Sequence, residues 1–297
     1  MSRTSRRFFM LSFSVLAPLS ALRPAFGQSL SMSSTVAFDR LEAARGGRIG
    51  VVAHDLQTGR TLSHRGDERF AMCSTFKWIL GSLVLSRVDR NEESLSRELP
   101  IFKSDIVTHS PVTRELVGSS LSVEKLCEAA ITRSDNTAAN LVLRTLGGPE
   151  GFTNHLQAIG DKTTRLDRYE TALNAAVSGD QRDTTTPEAM VWLMRQLLFG
   201  DALTRRSRDT LQRWMLDTQN GGRRLKGGIG ENWEIGHKPG TNNTNVNNDV
   251  GFVRSISDPN RAPILIASFS DAPGALEDRA DASHAAIAAA VLRVFMS

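Results

Sequence analysis

Two cysteines are all that this 297-residue chain contains. Cys73 and Cys127 lie 54 residues apart and form no metal-binding motif. An even count invites a disulfide in an exported chain. A chain of this length, however, has core enough to stand without one. Internal repeats and low-complexity tracts are also missing. With 40% hydrophobic and 23% charged residues, the composition is that of a globular protein rather than a disordered, collagen-like or coiled-coil chain.

Long apolar runs are absent beyond the N-terminus. The one run, Phe8 to Leu22, follows a basic start and leads to small residues at Ala25 and Gly27. Pro18 and Ser20 interrupt it, and it is shorter than the roughly 20 residues that span a bilayer. This is the layout of a secretory signal, expected to end near Gly27. The stretch SRRFFM adds a twin-arginine signature, which implies export to the periplasm in the folded state. No stable membrane association is expected after its removal.

An excess of one charge is missing too. Residues 1–27 hold four arginines (3, 6, 7 and 23) and no acids; without those four, 32 of the 36 basic residues remain against 32 acidic ones. The net charge of +4 therefore belongs to the leading segment. A neutral remainder gives no electrostatic case for nucleic acid or anionic lipid as a partner.

What is present is a clear order of elements. STVAFDRLEAARGG has helical spacing and stops at Gly46 and Gly47. RIGVVAHDL and TLSHRGD read as two strands joined by the turn QTGR, a hairpin. From Ser74 to about Thr218 most segments read as helices. STFKWILGSLVLSRVDR is apolar all round and should be buried. SVEKLCEAAITRS opens at Ser122, NTAANLVLRTLGG closes on a double glycine, and TPEAMVWLMRQLLFG opens on Thr186 and Pro187 and ends on Gly200. Residues 161–186 are polar without a long periodic element, a length that usually marks function. Strands return in NWEIGHKPGT, DVGFVRSI and APILIASFS, and an Ala-rich helix closes the chain.

The fold class expected is α/β plus all-α. A five-stranded, mainly antiparallel sheet is flanked by the terminal helices, with an all-helical domain inserted in it. The sheet domain takes residues 28–70 and 219–297, the helical domain 71–218, and the active site the cleft between them.

Four short stretches can carry chemistry. In MCSTFKW, Cys73 and Ser74 are both candidate nucleophiles, and Lys77 lies one helical turn beyond, within reach of either. An ammonium there can lower a hydroxyl's pKa or take its proton. Taken alone, S-x-x-K is a common chance pattern. Ser134-Asp135-Asn136 offers a hydroxyl and an amide on a tight turn, but all three residues also cap helices. In RYETALN, Glu170 with Asn174 can hold a water as general base, or lie solvated on the surface. In HKPGT, a lysine beside a glycine lets backbone approach a ligand, or protects an edge strand.

Taken together and in order, these stretches resemble the class A β-lactamases, within the serine β-lactamase and penicillin-binding-protein superfamily. The resemblance rests on Ser74–Lys77 as S-x-x-K, Ser134–Asn136 as S-D-N and Glu170–Asn174 as E-x-x-L-N, and it covers essentially the whole chain after the leader. RLDRYETALN…RDTTTP is similar to the family's omega loop, here about 165–183, with Arg168 and Asp183 as the ion pair at its neck.

The resemblance implies a β-lactam substrate, no metal, no cofactor and a monomer. Ser74 would attack the lactam carbonyl and form an acyl-enzyme. The backbone N–H groups of Ser74 and Thr241 would form the oxyanion hole, worth about 3 kcal/mol per donor. Either Lys77 or Glu170 through a water would take the Ser74 proton. Ser134 would protonate the lactam nitrogen, and Glu170 with Asn174 would activate the deacylating water. Asn136 would hold the side-chain amide, and Lys238 with Gly240 and Thr241 would bind near the carboxylate. His109 would stand at the cleft entrance. Some relatives pair a cysteine equivalent to Cys127 with one on the serine's helix; Gly81 holds that place here, so two free thiols are expected.

One motif departs from the family. K-T-G or K-S-G is replaced by Lys238-Pro239-Gly240, which removes a hydroxyl that normally binds the substrate carboxylate, and an N–H. N–H groups two apart on a strand face the same side. If Thr241 faces the cleft, so did the N–H lost at Pro239, and the sheet ladder should survive. Thr241, with a hydroxyl just past the glycine, and Arg224, which falls where some members of the family place a carboxylate-binding arginine, are the residues expected to compensate. The rivals are a DD-peptidase or penicillin-binding protein, which would lack a deacylating glutamate, and a non-catalytic exported binding protein on the same scaffold.

Overall fold

In the computed structural model, which describes residues 32–242, 244–272 and 277–297, five strands form one sheet. They are β1 (Arg48–Asp55), β2 (Thr61–His64), β3 (Trp233–Thr241), β4 (Asn247–Ser255) and β5 (Ile264–Asp271). Their order is β2-β1-β5-β4-β3, and every pairing is antiparallel. The expected export segment, residues 1–27, lies outside the described residues. None of the described helices is long and apolar enough to cross a membrane.

Alternation along the strands sorts the core into two layers. Val51, Ala53, Val253 and Ile266 face a cluster with Phe38 of α1 (Met32–Arg45) and Ile287 and Val291 of α8 (Glu277–Phe295). Val52, Phe252, Leu265, Ala267 and Phe269 face the opposite way, into the larger helical layer. Both faces of the sheet are thus covered, and β1, β4 and β5 are buried almost from end to end.

That layer holds α2 (Phe76–Asp89), α3 (Val123–Thr132), α4 (Asn136–Thr145), α5 (Gly148–Ala158), α6 (Pro187–Met194) and α7 (Arg205–Leu216). Helix α2 runs through its middle, with its first ten residues buried, as its all-round apolar surface requires. The helix starts are set locally. Ser122, Asp135, Thr186 and Thr204 each accept a backbone N–H of the first turn of α3, α4, α6 and α7.

Three details go beyond the sequence reading. Helix α2 begins at Phe76, because Cys73–Thr75 forms a separate 3₁₀ turn. Helix α6 gives way at Arg195–Phe199 to one π-helical turn before Gly200. Helix α5 has no counterpart in that reading. Gly147 and Gly148, at φ 87° and 75°, do not end the helical region but reverse the chain into a new helix with a proline in its first turn.

Candidate active site

Ser74 lies on a turn held from three sides. The Met72 N–H donates to Asp183 O at 2.9 Å, and Asn248 Nδ2 of β4 donates to Ala71 O at 2.8 Å and Met72 O at 3.1 Å. Thr75 closes the turn with its hydroxyl on Met72 O at 2.8 Å. Cys73 adopts φ 45°, a left-handed conformation costing about 1–2 kcal/mol in a non-glycine residue. That kink points the two neighbours differently: Cys73 is fully buried and Ser74 faces a cleft. Burial foremost, and the charge of Glu170 second, push the Cys73 thiol far above its ordinary pKa. A thiol so held is inert as a nucleophile. Cys127 is likewise a buried free thiol.

Behind Ser74 lie two buried ammonium groups with Ser134 between them. Lys77 Nζ donates to Ser134 O at 3.0 Å and Asn136 Oδ1 at 2.5 Å, lies 3.5 Å from Ser134 Oγ, and pairs with Glu170 Oε1 at 3.0 Å. Lys238 Nζ donates to Ser134 Oγ at 3.1 Å and to Pro239 O at 2.9 Å. Burial, and after it the nearby charge of Lys77, hold the Lys238 pKa well below the ordinary lysine value. No carboxylate ion pair to Lys238 exists among the described residues, whereas Lys77 has Glu170.

Ser134-Asp135-Asn136 does both of the things its sequence allows. Asp135 caps α4 through Ala138 N, and also takes Val112 N, Thr113 N and Thr113 Oγ1 at 2.8–2.9 Å. Saturating this carboxylate anchors the loop before it and frees its neighbours for the cleft. Ser134 sits at φ 57° and Asn136 bridges outward, Nδ2 to Thr108 O at 2.8 Å and N to His109 O at 3.0 Å. His109, itself at φ 60°, is exposed on the cleft rim.

Glu170 is carried by the long loop 161–183, whose only helical piece is one 3₁₀ turn, Ala172–Ala175. Arg168 Nε and Asp183 Oδ2, 2.5 Å apart, close its neck. Asn140 of α4 grips the Glu170 backbone at both ends, accepting its N–H and donating to its carbonyl, each at 2.9 Å. Asn174 Nδ2 donates to Glu170 Oε2 at 2.6 Å. Asn174 Oδ1 is buried with no hydrogen-bond partner among the described residues.

The opposite wall is β3, an edge strand. It pairs with β4 without a break from Trp233 to Thr241, with Pro239 opposite Asp249. The ladder does survive the proline, as an edge position allows. Gly240 is required by contact: a Cβ there would lie 2.8 Å from Met72 O and 3.1 Å from Ser74 N. The Thr241 hydroxyl donates to Val246 O at 3.0 Å.

Ser74, Ser134, Asn136, Asn174, Gly240, Thr241, Arg224 and His109 all line one cleft of about 590 Å³, and Lys77, Glu170 and Lys238 lie buried directly behind it. Asn220, Thr171 and Asn242 also line it. Nothing in the sequence pointed to these three. Asn220 sits in a short polar turn, and Asn242 reaches Asn174 O at 3.2 Å only because two distant loops meet. A larger groove of about 770 Å³ lies elsewhere, lined by Arg87, Arg97 and Arg144 with Glu92, Glu93 and Asp105. Its charges pair with one another, so size alone does not choose the site. Among the described residues no group of three or more His, Cys, Asp or Glu could hold a metal.

Comparison with known proteins agrees with this architecture. The model of the beta-lactamase enzyme family matches residues 34–295. Beta-lactamase L2 of Stenotrophomonas maltophilia is 38% identical over 277 residues, covering 90% of this chain and 91% of that protein. Beta-lactamase AST-1 of Nocardia asteroides is 43% identical, over 78% of this chain and 74% of that one. An ancestral class A beta-lactamase superposes with a TM-score of 0.85 at 45% identity, covering 88% of this chain and all of the other. A beta-lactamase crystal structure from Xanthomonas campestris pv. campestris gives 0.85 at 40% identity, over 89% and 97%. The chain belongs to the beta-lactamase enzyme family and, within it, to class A.

Proposed function

We propose that the chain hydrolyses β-lactams such as penicillins and cephalosporins through a serine acyl-enzyme, and so confers resistance to them. The observation that carries this is the buried Lys77–Glu170 pair, 3.0 Å apart, behind a cleft that Ser74 and Ser134 line. A penicillin-binding protein needs no carboxylate there, and a binding protein has no use for a buried charge pair at a nucleophile.

Ser74 Oγ attacks the lactam carbonyl carbon. Its proton passes to Glu170 through a water, or to Lys77 once Lys77 has given a proton to the Glu170 carboxylate beside it. The carbonyl oxygen becomes an oxyanion held by the N–H groups of Ser74 and Thr241. As the ring C–N bond breaks, Ser134 gives its proton to the nitrogen and recovers one from the Lys77 ammonium, which passes on the proton taken from Ser74 and leaves Glu170 a carboxylate again. Glu170 and Asn174 then share a water. A buried amide oxygen such as Asn174 Oδ1 with no protein partner is satisfied by solvent. Glu170 takes a proton from that water, whose oxygen attacks the ester carbonyl; as the C–Oγ bond breaks the same proton passes to Ser74 Oγ, and both residues are restored. With residues 1–27 as an export signal, the enzyme meets its substrate in the periplasm.

The substrate carboxylate is held by Lys238, Thr241 and Arg224, without the hydroxyl that Pro239 lacks. The Thr241 hydroxyl must exchange Val246 O for the ligand, which weakens its grip.

A chromogenic cephalosporin tests the proposal. Steady turnover is expected from the natural chain, and Glu170→Gln should turn over about 10³-fold more slowly while accumulating an adduct visible by mass spectrometry. A stoichiometric burst without turnover in the natural chain identifies a penicillin-binding protein instead; no reaction identifies a binder.

A further inference from the structure

The peptide that joins Gly240 to Thr241 is gripped from behind by a buried arginine. We propose that Arg224, fixed by Asp281, is a positioning residue for the oxyanion hole, beyond any contact it makes with the substrate carboxylate. The inference rests on the serine acyl-enzyme mechanism above.

The direction of each peptide group follows from the hydrogen bonds. Lys238 Nζ lies in the site on Ser134 Oγ, and it also donates to Pro239 O. The Pro239 carbonyl therefore faces the cleft. Successive carbonyls of a strand point to opposite sides, so Gly240 C=O points toward β4. A trans peptide is planar, with C=O and N–H opposed. The Thr241 N–H, at the other end of that same plane, points into the cleft beside Ser74.

Arg224 holds the rear of that plane. Its Nη1 donates to Gly240 O at 3.2 Å and to Asn248 O, opposite it on β4, at 2.9 Å. Its Nε donates to Asp281 Oδ1 of α8 at 2.8 Å, and both residues are buried. The next residue, Leu225, donates its N–H to Asp249 Oδ2 at 3.1 Å, which ties the arginine's own backbone to β4. Asp249 is occupied by His237 at 2.9 Å, and Asp281 is an acid in direct contact with the guanidinium.

Two effects follow. Fixing the carbonyl fixes the rotation of the peptide plane, and with it the aim of the Thr241 N–H. A charge-assisted hydrogen bond to the carbonyl also polarises the amide, which makes that N–H a better donor. The aim matters because Gly240 packs against the Ser74 turn with no room to spare, so a shift of the strand misplaces one donor of the hole relative to the other. The task calls for arginine: one rigid fork serves a carboxylate and two carbonyls at once, which a lysine ammonium does not reproduce.

The test separates the hole from the carboxylate. Phenylboronic acid carries no carboxylate. It forms a tetrahedral adduct by an Oγ–B bond to the serine, with a B–OH group where the oxyanion would sit. Arg224→Gln and Asp281→Asn should bind it about tenfold more weakly. In a Glu170→Gln background, Arg224→Gln should also move the acyl-ester carbonyl stretch to higher wavenumber, the mark of weaker hydrogen bonding. Arg224→Lys should recover KM for a penicillin but not boronate affinity. Unchanged boronate affinity and carbonyl stretch, with only KM raised, would show a carboxylate contact and overturn the proposal. Asp281→Asn keeps the side chain's size and decides the matter if Arg224→Gln does not fold. A natural chain that forms no boronate adduct at all removes the acyl-enzyme mechanism itself, and the proposal with it.

Discussion

Around Ser134, the side chains of Lys77, Glu170 and Lys238 are closed off from water. At the edge of the sheet where α1 meets β1 and β2, a second charge cluster is built the other way. Glu42 of α1 takes Arg65 at 2.6 and 2.8 Å and the Ile49 N–H at 2.9 Å, and Arg65 and Arg48 each take one oxygen of Glu68 at 2.8 Å. Arg65, Glu68 and Arg48 keep a third or more of their side-chain surface in water. Every charge in this second cluster has an opposite charge in contact, and it bridges elements that are far apart in the chain. The first cluster has two ammonium groups to one carboxylate. Charge that stays wet and paired ties a fold together; charge stripped of water and left in excess is held for chemistry, against the fold's own preference.

Three substitutions probe that contrast. The largest effect is expected at Lys238. Lys238→Gln should lower kcat/KM by about 100-fold, while thermal unfolding stays at or above that of the natural chain, because a desolvated cation has been removed. The sign with pH follows from the depressed pKa. The folded state penalises the proton on Lys238 fully below its folded pKa and is relieved as pH rises through it toward the ordinary value of 10.5. The stability advantage of the variant should therefore shrink as pH rises. A large loss of melting temperature in Lys238→Gln would break the contrast.

Pro239→Thr comes next. It restores a hydroxyl to the cleft wall and should raise kcat/KM for penicillins and cephalosporins several-fold, read through KM. It should also lower stability by about 0.4–1 kcal/mol, since a proline that fits its strand restrains the unfolded chain. No change in kcat/KM with either substrate class would show that Thr241 and Arg224 already supply what the proline removed.

The smallest effect belongs to the outer cluster. Glu42→Gln should leave kcat/KM unchanged and destabilise by about 1 kcal/mol at neutral pH. The hydrogen bond from Arg65, foremost, holds the Glu42 pKa down to about 2 from 4.5. A depressed carboxylate contributes fully above its unfolded value, so the contribution is present above pH 4.5 and is lost as pH falls toward 2. Urea unfolding of both chains across that range should converge at the acid end; a constant difference would assign the effect to packing rather than charge.

Much of the fold was legible because its signals are local. All five strands were readable as short segments between turn residues, and Ser122 and Thr186 were readable as helix starts because a cap acts on the first turn beyond it. Helix α5 was not legible. Its opening Gly-Pro is turn chemistry by itself and becomes a helix start only where packing buries Phe152 and Leu156. The Ser-Asp-Asn turn shows the same limit within the site. Its two uses looked like alternatives, yet Asp135 caps while Ser134 and Asn136 face the cleft. The resemblance offered Arg224 as a carboxylate contact, but the partners it has here, Gly240 O and Asn248 O, are backbone atoms, which no residue type announces.

The sequence by itself determined which groups are available and how close neighbours along the chain lie. Ser74 with Lys77, Glu170 with Asn174, and the proline in the Lys-Pro-Gly strand are all set by spacing of a few residues. Spacing alone did not choose between Cys73 and Ser74, since both lie within a turn of Lys77; the ordered motifs downstream, through the resemblance they carry, pointed to Ser74. The tertiary structure separates the two side chains, pinning the turn between Asp183 and Asn248 so that the thiol is buried and the hydroxyl faces the cleft. It also brought Glu170, Lys77, Ser134 and Lys238 into one chain of contacts, each touching the next, and shut their side chains off from bulk solvent. The strength of those charges depends on the surrounding dielectric, and that is a property of packing rather than of any residue in the sequence.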